Sequence, residues 1–194
     1  MAKLLDSGQR RDFKSGAVRD LADGKGRCDL LPLNILAMLV SLEFGPNAGT
    51  VLNHLDTFMK TGDVQFVLLA LTAFHRCDLI GGILGGSMQY EDGMQKYGER
   101  NWEKGIPCHT YVDSGVRHFL KYLRGDSDEP HDRAFTWNML CLAHTYLFIP
   151  GMNDLPCKEE EPRITFELEG GAERLPEELE KILTDSILFA EIPE

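Results

Sequence analysis

Thr110-Tyr111-Val112-Asp113-Ser114-Gly115-Val116-Arg117-His118-Phe119-Leu120-Lys121-Tyr122-Leu123 is the stretch that decides the fold. Val112, Val116, Phe119, Leu120 and Leu123 recur at three- and four-residue steps, so they form the apolar side of an amphipathic helix. Gly125-Asp126-Ser127-Asp128-Glu129-Pro130 follows as an acidic turn, and His131 to Phe148 reads as the next helix, stopped by Pro150-Gly151. Two helices joined by so short a turn predict a mainly α chain built as a helical bundle.

Upstream, Leu33 to Phe44 predicts a helix with Leu33, Leu36, Ala37, Val40 and Phe44 on one face, ended by Gly45-Pro46-Asn47. A second runs from about Thr50 to Lys60. A long apolar helix starts near Val64, with Asp63 as its N-cap. Gly81-Gly82-Ile83-Leu84-Gly85-Gly86 disfavours a rigid helix but permits a hinge or a close helix–helix approach; it is kept helical, as is Met88 to Tyr97. Gly98 to His109 reads as a loop. Residues 1–31 read as a polar N-terminal arm, 32–152 as the helical domain and 153–194 as an acidic C-terminal appendage. In the appendage, Arg163 to Glu169 alternates like a strand and Pro176 to Leu183 like a short helix.

The 194 residues carry 20 Lys and Arg against 31 Asp and Glu, a net charge of −11. That excess argues against a duplex nucleic-acid binder held by phosphate neutralisation, while nucleotides bridged by cations stay open. The five cysteines are scattered, without a CxxC pair, which fits reduced thiols. No stretch reads as a secretory signal or a membrane span, so the expected place is the cytoplasm, without a membrane partner. No GxxxxGK loop, GxGxxG, GxSxG or HExxH is present.

The chemistry-bearing residues crowd between Tyr90 and Asn138. Glu91 and Asp92 are helical carboxylates that suit a hard cation, or a solvated face with one Asp92–Lys96 ion pair. Lys96, Tyr97, Asn101 and Trp102 combine a cation, two aromatics and an amide; they suit a base and phosphates, or anchor a loop. Asp113, Arg117 and Lys121 form an i,i+4,i+8 row, and Ser114 and His118 another; ion-pair ladders and phosphate contacts both use such rows. Asp126, Asp128, Glu129, His131 and Asp132 put five titratable groups within seven residues at a helix start. Capping explains one or two of them. Asn138 falls on the face of His131, at i,i+7.

Tyr90-Glu91-Asp92-Gly93, Lys96-Tyr97-Gly98, Asn101-Trp102-Glu103-Lys104-Gly105, Asp113-Ser114, Arg117-His118, Gly125-Asp126, Asp128-Glu129, His131 and Trp137-Asn138 follow one another in order. With Gly16-Ala17-Val18-Arg19 and Gly24 to Pro32 upstream, this set resembles the phage-associated family labelled dATP/dGTP diphosphohydrolase, N-terminal domain. The resemblance spans about residues 7 to 156. It implies a helical nucleotide pyrophosphohydrolase, MazG-like in type, that uses Mg²⁺ or Mn²⁺ to split a purine deoxynucleoside triphosphate into monophosphate and pyrophosphate. The chain departs from the MazG pattern in lacking EExxE followed by ExxD.

On that reading Glu91, Asp128 and Asp132 are the expected metal ligands, and His118 and His131 the catalytic imidazoles. Lys96, Arg117 and Lys121 neutralise phosphates, while Tyr97, Asn101, Trp102 and Asn138 contact the nucleotide. The alternatives are a phage protein that sequesters a nucleotide without hydrolysis, and a helical scaffold whose acidic tail binds a basic partner. A homo-oligomer is expected, in the cytoplasm of the host if the chain is phage-encoded.

Overall fold

A computed structural model describes residues 9–158. The elements in chain order are β1 (Arg10–Asp12), β2 (Val18–Asp20), α1 (Leu33–Phe44), α2 (Pro46–Thr61), α3 (Gln65–His75), α4 (Leu79–Tyr97), α5 (Cys108–Arg124) and α6 (His131–Phe148). Single 3-10 turns at Cys28–Leu30 and Asn101–Lys104 complete them. The mainly α class holds. The strand and helix expected after residue 158 lie outside the described residues.

α5 and α6 form the helical hairpin that their spacing predicts, ended on the α5 side by Gly125 in the left-handed region. Tyr111, Val112, Val116 and Phe119 of α5 are buried against Phe135, Met139 and Leu142 of α6. Gly115 allows the close contact: a Cβ there would stand 2.5 Å from Met139 Cε. α2 closes the core with Leu52, Leu55 and Phe58, whose ring meets Tyr146 edge-on at 5.1 Å. The same buried cluster takes in Ala17 and reaches Leu155 and Cys157. Backbone ties from Cys108 N–H to Met152 O and from His109 N–H to the Asp154 carboxylate hold the latter end.

Several boundaries differ from the expectation, each for a physical reason. Gly45-Pro46 does not open a loop, because proline at the first helical position loses no hydrogen bond; α2 starts there at once. The apolar run from Val64 is two helices, not one. Arg76 takes φ 46°, and the axes of α3 and α4 differ by 104°. Asp78 then caps α4 by accepting from Gly81 N–H. The arm is not merely solvated: β1 and β2 pair antiparallel, with Arg11 opposite Arg19. Phe44, expected on the buried face of α1, is half-exposed. Ile35, Met38, Leu39 and Leu42 of that helix also face outward, the kind of apolar surface on which self-association would rest. No single helix among the described residues is long and apolar enough to cross a membrane.

α4 runs unbroken through the four glycines of 81–86, because the neighbours of those glycines replace what propensity loses. A Cβ on Gly82 would fall 2.2 Å from the His75 ring, and one on Gly86 would fall 2.8 Å from Thr136 Cγ2 of α6. The bare helix surface therefore lets α6 approach and lets His75 reach across. Thr136 Oγ1 donates to the Asp132 carbonyl, so His75 Nε2–H is the donor in the 2.7 Å bond to Thr136. Gly93, on the same helix, has open space at its Cβ position. Gly93→Ala is expected to stabilise by about 0.5–1 kcal/mol, and Gly86→Ala to destabilise despite the same gain in helix propensity. Thermal melts of the two variants check this: equal shifts in one direction would remove the close-approach account.

Candidate functional site

The hairpin β1–β2, α4, α5 and α6 enclose a cleft of about 570 Å³. Its chemistry begins with Arg19, which β2 points inward between the rings of Tyr111 and Trp137, 5.4 and 5.1 Å from their centroids. Arg19 donates to the Thr110 carbonyl, to Ser114 Oγ and to Asn138 Oδ1, all neutral acceptors. Burial holds its pKa below the usual guanidinium value. Beside it Arg11 donates to Thr110 Oγ1 and lies over the Phe13 ring, while its buried Nε–H has no partner. Among the described residues neither guanidinium has a carboxylate partner, and both face the cleft.

The cations expected to meet phosphates are differently placed. Lys96 is paired with Asp20, Arg117 with Asp113, and Lys121 with Asp128. Arg117 and Lys121 still line the cleft, and Arg117 also donates to the carbonyls of Lys25 and Gly26, drawing that loop over the opening. The uncompensated charge thus comes from Arg11 and Arg19, which sequence reasoning did not single out as site residues. Their signal was the short run Arg10-Arg11-Asp12, Gly16, Val18-Arg19-Asp20, too brief for alternation to register.

Asn101 and Asn138 are positioning residues here. Asn101 accepts from Val18 N–H at 2.9 Å and donates to Val18 O at 2.8 Å, pairing with β2 as a peptide group would. Asn138 donates to Ala134 O and accepts from Arg19, which aims the guanidinium. Trp102 packs edge-on to Tyr90 and His144, anchoring its loop beside a second, more apolar cavity of about 350 Å³. Tyr97 and Trp137 line both cavities, so they are the aromatic faces available to a ligand in the main cleft.

At the far end of the cleft, α5 presents His118 and the first turn of α6 presents His131. Their Nδ1 atoms are 3.0 Å apart. Glu129 Oε1 stands 3.6 Å from His118 Nδ1 and 3.7 Å from His131 Nδ1. Behind them His131 Nε2 meets Asp128 Oδ1 at 2.8 Å. Asp128, held by Lys121 and then His131, has its carboxyl lowered to about 2. Burial first, then the positive neighbours His131, Arg19, Arg117 and Lys121, push the His118 imidazole down to about 3, so it stays neutral.

The three carboxylates expected to share a cation are not gathered. Glu91 is exposed and faces the second cavity, and Asp132 is exposed at the start of α6. Among the described residues the groups whose ligand atoms all lie within 4.8 Å of one another are His118–Glu129–His131 and Asp126–Asp128–His131. Neither is the all-oxygen set that Mg²⁺ requires.

A histidine neutral in the fold but protonated when unfolded destabilises the fold as pH drops below its unfolded pKa of 6.5. Burial lowers His54, His75 and His144 in the same direction. His118 alone should remove on the order of 1 kcal/mol of stability between pH 7.5 and 5.5. Denaturant titrations of chelator-treated protein at the two pH values measure it; unchanged stability would mean the imidazole is not buried neutral.

Residues 75–154 match the family described as dATP/dGTP diphosphohydrolase, N-terminal. The matched stretch takes in α4, α5 and α6 with the histidine pair, Glu129 and Asn138, and leaves out the hairpin that supplies Arg11 and Arg19. No curated protein and no solved structure matches the chain. Over residues 75–154 the chain is therefore similar to the dATP/dGTP diphosphohydrolase N-terminal family, as its ordered motifs imply.

Proposed function

We propose that the cleft binds a purine deoxynucleoside triphosphate and hydrolyses it to the monophosphate and pyrophosphate. The observation that carries this reading is Arg19, a guanidinium facing a cavity with only neutral acceptors around it. Its three hydrogen bonds all go to neutral acceptors, so among the described residues no carboxylate balances its charge. A polyanion in the cleft meets that charge, and Arg11 with its unpartnered Nε–H adds a second donor fork. The family match supplies the nucleotide class.

In this reading Arg19 and Arg11 hold phosphate oxygens, while Arg117, Lys121 and Lys25 surround them at the opening. Trp137 and Tyr97 offer ring faces to the base. Water is positioned at the end of the cleft where Glu129 faces the two imidazoles. It adds to the α-phosphorus, the bond from that phosphorus to the bridging oxygen breaks, and pyrophosphate leaves with that oxygen while the water's proton passes to a neighbouring base. The chain's own share is placement and charge neutralisation, which is most of what phosphoryl transfer asks of a protein.

The test is mass spectrometry of a mixed nucleotide pool incubated with the full chain and divalent cations, sampled before and after heat denaturation. Loss of dATP or dGTP with matching monophosphate and pyrophosphate is the expected result. A nucleotide that disappears and returns intact on heating would instead identify a sequestering protein, and an unchanged pool would end the nucleotide reading. Arg19→Gln is expected to weaken nucleotide binding about tenfold or more, as loss of a charged hydrogen-bond donor does. Lys25→Ala, on an exposed loop, is expected to weaken it by a smaller factor with the fold unchanged.

A further inference from the structure

The end of the cleft is built from more than two histidines in contact. His118 Nδ1, His131 Nδ1 and Glu129 Oε1 form a triangle with sides of 3.0, 3.6 and 3.7 Å. The point equidistant from all three lies about 2.0 Å from each, the length of a Zn–N or Zn–O bond. Three protein groups, two imidazoles and a carboxylate, leave further coordination positions open toward the cleft that His118 and Glu129 line.

The surroundings fit such a centre. His131 Nε2–H donates to Asp128, which leaves the Nδ1 lone pair of His131 facing His118 and Glu129. A carboxylate behind a ligating imidazole fixes its tautomer and orients its ring, and Lys121 in turn holds that carboxylate. Glu129 has no Lys or Arg partner among the described residues; its contacts are the two imidazoles. The competing group, Asp126–Asp128–His131, lacks these properties: Arg124 takes Asp126, Lys121 takes Asp128, and the latter is exposed.

We propose that His118, Glu129 and His131 bind a divalent first-row transition cation of the Zn²⁺ type, with Asp128 as a positioning residue. The nitrogen-rich donor set favours such an ion over the Mg²⁺ or Mn²⁺ that the family resemblance implies. Binding stands on geometry alone; its use in the cleft as a Lewis acid beside the triphosphate rests on the function proposed above.

The full chain, treated with chelator, is titrated with Co²⁺ by visible absorption and with Zn²⁺ by calorimetry, without nucleotide. One equivalent should bind, with ligand-field bands and no thiolate charge-transfer band. Glu129→Gln and His131→Gln should each weaken binding about tenfold or more, and Asp128→Asn about 10–100-fold with altered ligand-field bands. Asp126→Asn should leave affinity unchanged. Circular dichroism of each variant confirms folding; should His131→Gln fail to fold, Glu129→Gln carries the test. Absence of binding, binding that survives Glu129→Gln, a thiolate band, or loss confined to Asp126→Asn would each overturn the site. Turnover with Mg²⁺ and no transition-metal binding would overturn it while sparing the hydrolase. One bound equivalent with an untouched nucleotide pool would do the reverse.

Discussion

Arg19 stands inside a helical body without a carboxylate, and much of the surrounding structure is arranged to hold it there. A half-buried guanidinium needs acceptors for its N–H groups and gains from aromatic neighbours. Thr110, Ser114 and Asn138 accept three bonds from it, from α5 and α6, and the rings of Tyr111 and Trp137 lie beside it. The residue itself arrives on a strand of three residues, too short to be stable alone. Asn101 therefore grips the backbone of Val18, and Ala17 is buried in the main core. The hairpin is a tether for two arginines, and the loop after α4 exists in part to hold that tether.

The distribution of charge follows from the same requirement. The chain is acidic overall, yet its cleft gathers Arg11, Arg19, Lys25, Arg117 and Lys121. Were the charges placed evenly, the cleft would be acidic. Instead Asp20, Asp113 and Asp128 each take a cation at its margin, which fixes the geometry of the paired residues and leaves Arg11 and Arg19 uncompensated at the centre. Ion pairs at the rim are worth little in stability. Their effect here is on position: Arg117 spans Asp113 and the Lys25-Gly26 backbone, and so shapes the opening.

What the sequence made legible was whatever repeats along one helix. The apolar step of 110–123 announced α5, and the turn at 125–130 announced its pairing with α6. The crowd of titratable groups from Asp126 to Asp132 lies at one end of the cleft. Periodicity could not say which of the four acids would face the histidines. Glu129 does, its carboxylate reaching both imidazoles, while Arg124 takes Asp126 and Asp132 is exposed on α6. Nor could local spacing reveal a charge supplied across 91 to 119 positions, as the Arg19 bonds to Thr110, Ser114 and Asn138 are. Asn101 and Asn138 looked like reading groups because an amide can do either job. Their partners show that Asn101 holds the Val18 backbone and that Asn138 accepts from Arg19.

The cleft therefore has two ends of opposite chemical character, and the separation has a mechanical cause. Asn138 and Trp137 face Arg19, and His131, two turns earlier on the same helix, faces His118 and Glu129. α6 thus serves both ends as a single rigid strut. Its close approach to α4 is what keeps that strut in place: Gly86 lets Thr136 in, and His75 bonds Thr136 across the gap left by Gly82. A glycine-rich stretch outside the cleft lining then controls the distance between α6 and the rest of the cleft wall. A side chain added there would push both ends of the cleft at once, because no flexible segment lies between them to absorb the shift.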